Sequence, residues 1–213
     1  MARVALPHLV LIILLSMEAP LAQPTASTKP LAAASDSTDF IEVSCRSTRY
    51  PPLCVQCLSS YARVIRQNEQ ALARVALSVT LSRARQAMAF VARMRDTRGI
   101  RPRENGAVRD CVANLGSSVD RLVQSIIEMD QMNKAAPGDD FEWHVSNLET
   151  WVSGALTNAN TCLDGFAGRA MDGNIKTTVR SKVLDLAQVM SNTLALMDRF
   201  AARHRRSSHG RHP

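Results

Sequence analysis

The sequence predicts an all-α fold: an up-and-down four-helix bundle entered through a small N-terminal helical hairpin. Three observations carry this. The chain is 46% hydrophobic but only 4% aromatic. Ala, Leu, Val and Met therefore supply the apolar mass, which favours helices over strands rich in β-branched and aromatic residues. Along four long segments the apolar residues recur at alternating steps of three and four, the spacing of a helical seam. Short connections containing Gly join those segments, and short connections force successive helices to run antiparallel.

Taken in order, residues 1–22 read as an export signal. Met1-Ala2-Arg3 gives a positive start, 4–15 is apolar apart from Pro7 and His8, and Ala19 and Ala22 offer cleavage sites. The apolar stretch is shorter than the ~20 residues a membrane span needs, so no membrane anchor is expected. Residues 23–36, rich in Ala, Ser, Thr and Pro, read as a disordered leader. Ser37, Thr38 and Asp39 offer N-caps for a short helix through Cys45. Tyr50-Pro51-Pro52 stops that helix, because proline cannot donate to it. A second short helix from Leu53 completes a hairpin over 37–62.

The bundle is expected over 63–203. Its first helix, 67–94, carries Leu72, Val75, Val79, Ala87, Phe90 and Met94, with Arg83 interrupting the stripe. The second, 107–132, carries Val108, Val112, Leu115, Val119, Leu122, Ile126 and Met129. The third, 142–163, places Leu148, Val152, Ala155, Ala159 and Cys162 on one face. The fourth, 174–203, carries Val179, Val183, Leu186, Met190, Leu194 and Met197. Residues 204–213 are basic and unpatterned and read as a mobile tail, with no further domain expected after it.

The formal charge is +7. A basic exported protein can be held by a polyanion or an acidic protein surface, and solubility accounts for the charge equally well. Nucleic acid is not expected as a partner, given export and the lack of a recognition motif. No Ser/His/Asp order, paired-carboxylate motif or phosphate loop points to an enzyme, and no cofactor is implied.

Five cysteines forming two bridges allow fifteen arrangements. Export places them in an oxidising compartment, where paired cysteines are structural. Cys45 and Cys54 flank the proline turn, so a bridge between them would close the hairpin. Cys111 lies early in the second bundle helix and Cys162 late in the third, so a bridge there would staple antiparallel neighbours. Cys57 is left odd. Cys54-Val55-Gln56-Cys57 also spells C-x-x-C, but that redox motif opens a helix in an α/β domain, and a zinc site would need further ligands.

The stretch Ser44-Cys45-Arg46-Ser47-Thr48-Arg49-Tyr50-Pro51-Pro52-Leu53-Cys54-Val55-Gln56-Cys57-Leu58 resembles the opening of the plant invertase and pectin methylesterase inhibitor family. So do Cys111 with Val119-Asp120-Arg121-Leu122, Thr150-Trp151-Val152-Ser153-Gly154-Ala155-Leu156-Thr157-Asn158 with Thr161-Cys162-Leu163-Asp164-Gly165-Phe166, and Ser191-Asn192-Thr193-Leu194-Ala195-Leu196. The resemblance covers 39–201. It implies a four-helix bundle with a helical hairpin, bridges Cys45–Cys54 and Cys111–Cys162, and a free thiol at Cys57. It also implies a secreted, apoplastic inhibitor without enzymatic activity, which caps the cleft of pectin methylesterase or of acid invertase one-to-one. Invertase inhibitors of the family use a Pro-Lys-Phe tripeptide, which is absent here, and the hairpin with Cys57 resembles the methylesterase branch.

In that branch the bundle helices form the contact surface. On the third helix Asn147, Thr150, Gly154, Thr157 and Thr161 make a stripe of short uncharged residues beside the apolar seam, able to approach a cleft without burying a charge. The second helix adds Asn114, Ser117 and Asp120. The family places a contact threonine where Thr161 stands. Ala113 departs from the pattern, standing where a polar or acidic contact is expected. Trp143 and Trp151 read as packing residues rather than sugar platforms, and His144 as an exposed histidine. The basic tail from His204 suggests weak contact with anionic pectin.

Overall fold

The computed structural model describes residues 29–132 and 140–209, and no strand occurs among them. The chain enters through α1 (Lys29–Cys45), α2 (Pro51–Leu58) and the single turn α3 (Ala62–Ile65). Pro51 and Pro52 open α2, where their missing N–H groups cost nothing. Cys45 and Cys54 are bridged across the turn, Cα to Cα 5.6 Å. The left-handed residues Arg66 (φ 47°) and Gln67 (φ 59°) end α3 and reverse the chain.

The bundle helices are α4 (Glu69–Arg93), α5 (Pro102–Met132), α6 (Asp140–Asp164) and α7 (Asn174–His209). Asn68 caps α4, its side-chain oxygen accepting from the Ala71 N–H at 2.8 Å. The expected start at Gln67 is thus moved to Glu69. At the head of α5 the Glu104 carboxylate reaches back to accept from the Arg101 N–H at 2.9 Å, with Pro102 in the first turn.

The bundle core holds Leu77, Val91, Leu115, Leu122, Val152 and Met190, none more than 9% exposed. A second cluster sits under the hairpin and joins Ile41, Leu58, Ile65, Leu72, Val189 and Leu196. The α6 and α7 stripes are buried as expected, apart from a half-buried Leu194. Arg83, the interruption on α4, pairs with Asp185 of α7 at 2.7 Å.

The buried line of α5 differs from the sequence stripe. It runs Val108, Cys111, Leu115, Ser118, Leu122, Ser125 and Met129, while Val112, Val119 and Ile126 are half-buried. Serine can take such positions because its hydroxyl folds onto the preceding turn: Ser125 Oγ donates to the Arg121 carbonyl at 2.9 Å.

Two further corrections concern the ends. Residues 29–36, read as leader, belong to α1: Pro30 stands in its first turn, and Leu31-Ala32-Ala33-Ala34 are strong helix formers. Residues 204–209, read as mobile tail, continue α7. Arg205 donates to the Glu142 carboxylate at 2.7 Å, and the His204 ring stacks on Phe141 at 3.8 Å, so the basic segment is tied to α6. The expected signal and the rest of the leader (1–28), the α5–α6 connection (133–139) and 210–213 lie outside the described residues.

Candidate interaction face

The expected interface residues fall on the two helices held closest together. Cys111 of α5 and Cys162 of α6 are bridged, with Cα atoms 4.3 Å apart. Two helical turns along, Ser118 Oγ shares its proton between the Ala155 carbonyl across the interface (2.9 Å) and the Asn114 carbonyl of its own helix (3.1 Å). Ala155 and Ala159 are fully buried at this seam. Small side chains let the backbones approach, and the serine satisfies the polar group that comes with closeness.

Thr150, Thr157 and Thr161 are exposed on α6, with Gly154 half-buried between them. Ser117 and Asp120 are exposed on α5 and Asn114 is half-buried. The hydroxyls of Thr157 and Thr161 donate back to the carbonyls of Ser153 and Thr157, each at 3.0 Å. Their oxygens therefore face outward as acceptors. Asn114 Nδ2 donates to the Asp110 carbonyl at 3.0 Å. An open groove of about 300 Å³ at the bridged end is lined by Arg103, Asp110, Asn114, Thr161 and Gly165, among others. It brings Asn114 and Thr161 together, whereas Asn147 and Thr150 do not line it.

Asn147 departs from the expected free stripe. Its Nδ2 contacts Glu128 Oε1 at 3.4 Å, and Glu128 Oε2 lies 2.8 Å from His144 Nδ1. His144 is buried, at 8% exposure, rather than exposed. The three side chains clamp α5 to α6 at the end opposite the disulfide. Trp143 corrects another expectation: it is 59% exposed and meets the His144 ring edge-on at 4.9 Å. Ile127 of α5 is exposed as well.

Sequence reading passed over Arg121 as a site residue. Its guanidinium lies over the Trp151 ring, 5.7 Å from the centroid, and its chain crosses Gly154 so closely that an added Cβ would stand 2.7 Å from Nη1. The signal was Gly154 itself, since a glycine inside a strong helix marks a close approach. No group of three His, Cys, Asp or Glu side chains among the described residues is placed to hold a metal ion. No helix among them is long and apolar enough to cross a membrane.

Residues 39–196 match the family model described as plant invertase/pectin methylesterase inhibitor. The "21 kDa protein" of Daucus carota is 46% identical over 174 residues, 82% of this chain and 90% of that one. "Pectinesterase inhibitor 9" of Arabidopsis thaliana is 49% identical over 169 residues, 78% of this chain and 83% of its own. Among solved structures, a mutant form of a pectin methylesterase inhibitor from Arabidopsis superposes with a TM-score of 0.58 at 24% identity, over 72% of this chain and 92% of that one, a likeness of fold.

Proposed function

This chain belongs to the plant invertase/pectin methylesterase inhibitor family, and we propose that it is a pectin methylesterase inhibitor: a protein without catalysis of its own that binds the enzyme one-to-one and blocks its substrate cleft. The observation that carries this is the 49% identity to a protein named pectinesterase inhibitor along 78% of the chain. The invertase alternative is not favoured: the sequence lacks Pro-Lys-Phe, and the relatives described above do not carry that name.

The contact surface proposed is the α5–α6 face, through Thr161, Thr157, Thr150, Asn114, Ser117 and Asp120, with Asn147 acting through the Glu128 clamp. A surface of outward acceptors on a disulfide-stapled helix pair supports this, since it loses little conformational freedom on binding. Two disulfides support an extracellular site of action, here the cell wall. Weak contact with anionic pectin is also proposed, supported by the exposed Arg206 on α7, one turn beyond Arg203, which is itself paired with Glu69. Binding to polygalacturonate that weakens with salt tests it; binding indifferent to salt overturns it.

The deciding experiment titrates the oxidised protein into pectin methylesterase and, separately, acid invertase. Methylesterase activity is expected to fall to its floor near one equivalent while invertase is untouched. An unaffected methylesterase sinks the reading.

A further inference from the structure

We propose that Arg121 is the anchor of the α5–α6 face, a preset guanidinium that pairs with an aspartate or glutamate carboxylate of the enzyme this face covers. The inference rests on the inhibitor reading above and adds to it the chemistry of the contact.

The other arginines that come close to carboxylates are spoken for. Arg74 pairs with Asp130, Arg83 with Asp185, Arg101 with Glu104, Arg199 and Arg203 with Glu69, and Arg205 with Glu142, while Arg109 lies 3.8 Å from the neighbouring Asp110. The Arg121 guanidinium has no ion pair or hydrogen bond among the described residues. The adjacent Asp120 does not supply one, and Glu128 is taken by His144 and Asn147. Five N–H donors in a planar fork are thus left without an anion.

The group is nevertheless held in place. The Trp151 ring supports one face, and the absence of a side chain at Gly154 provides its seat. Glycine inside a helix is destabilising relative to alanine. The feature at this position that alanine would lose is the seat for Arg121. A side chain held against its neighbours surrenders less entropy on binding than a free one, and arginine and tryptophan are both enriched at interface hot spots.

The setting selects the ligand. No other Lys or Arg occurs on α5 between Arg109 and Met132, and none occurs on α6. Arg121 is therefore the one Lys or Arg in the middle turns of the face, with Arg103 at the bridged end beside Thr161, and on α6 the exposed Thr150 and Thr157 lie within a turn of its seat at Gly154. The short neighbours leave it approachable. A carboxylate satisfies the fork in two parallel bonds, which neither a neutral acceptor nor a spread of surface charge does.

The test is inhibition of pectin methylesterase by the oxidised protein and its variants, with an unfolding midpoint measured for each. Arg121→Ala is expected to weaken inhibition by about 30-fold or more. Arg121→Lys, which keeps the charge and loses the fork, should recover little of it. Gly154→Ala should weaken inhibition in the wild-type background and add nothing in the Arg121→Ala background, because both act through one group. Arg109→Ala, on the same helix, should stay within about twofold of wild type. A wild type that inhibits, with Arg121→Ala and Gly154→Ala within about twofold of it, overturns the anchor and leaves the inhibitor reading standing. So does an Arg121→Ala that lowers the unfolding midpoint with inhibition unchanged. A wild type that does not inhibit removes the reading and the anchor with it.

Discussion

The hairpin and the α5–α6 pair are both closed by a disulfide, yet they are held in opposite ways. The hairpin bridge spans 9 residues and the α5–α6 bridge 51. In the chain-entropy model these separations correspond to about 3 and about 4 kcal/mol of stabilisation. The hairpin is stitched to itself, and it is held to the bundle by an apolar cluster and by a polar clip. In that clip Asn192 Oδ1 accepts from the Tyr50 N–H and Asn192 Nδ2 donates to the Tyr50 carbonyl, both at 2.9 Å. The α5–α6 pair is joined along its length: disulfide at one end, Ser118 to Ala155 midway, the Glu128 clamp at the other. The difference teaches where rigidity is placed. A module with local closure and a narrow attachment opens without unfolding the rest. Helices joined at three levels do not, and that is where the proposed contact face lies.

The largest effect should come from removing the long bridge. Cys111→Ala with Cys162→Ala is expected to cost about 4 kcal/mol in denaturant unfolding, against about 3 for Cys45→Ala with Cys54→Ala. An equal or reversed order would break the comparison. Asn192→Ala comes next, at about 1–2 kcal/mol, since it strands the N–H of Tyr50, while the Tyr50 carbonyl keeps the Cys54 N–H at 3.0 Å. Hydrogen exchange should show the amides of α2 losing protection while those of α6 keep theirs; a uniform loss would mean the hairpin and bundle open as one unit. Ser118→Val sharpens the other side. Two methyls forced between α5 and α6 should cost about 1–3 kcal/mol, read as a lower thermal midpoint, whereas an unchanged midpoint would mean the seam has slack.

The smallest effect lies between the bundle helices at the α6–α7 end. The hydrogen bond from Arg205 holds the Glu142 carboxyl below its ordinary value of 4.5. A lowered folded pKa contributes stability that is present above 4.5 and lost as pH falls through the lowered value. Glu142→Gln should therefore cost less than about 1 kcal/mol at neutral pH, as exposed pairs do, and flatten the acid side of the stability curve. Glu149 works with the opposite sign. Burial, with Asp198 beside it, raises its carboxyl. Its contribution is present below 4.5 and fades as pH rises through the raised value.

The sequence made legible what periodicity encodes. The α6 and α7 seams were readable because aliphatic residues mark them, and the two bridges because the proline turn and antiparallel order place the cysteines. The α5 seam was less so: Ser118 and Ser125 look like surface residues until a carbonyl of the preceding turn takes the hydroxyl. His144 looked exposed for the same reason, its burial made possible by a partner sixteen residues away in the chain. Both ends misled because composition weighed more than helix propensity, which favours Leu31 to Ala34 and is not interrupted before Gly210. Of the contact face, the threonine stripe was visible as a pattern. Arg121 was not, because its standing depends on an empty space on another helix.

Cys57 carries a kinetic consequence. It follows Cys54 by one helical turn, and both line a cavity of about 10 Å³ between α2, α4 and α7, hardly room for one water. Burial pushes the Cys57 thiol up from its ordinary value of 9.0, with Arg83 pulling the other way. Disulfides reshuffle by attack of a thiolate, so a protonated, enclosed sulfur is a poor attacker on the bridge beside it. Each excursion of the hairpin away from the bundle hands that sulfur to water and lets its pKa fall back toward the ordinary value, which raises its thiolate fraction. The clip between Asn192 and Tyr50 therefore acts as a clock on the fidelity of pairing: the more rarely it releases, the longer Cys45 keeps Cys54 as its partner.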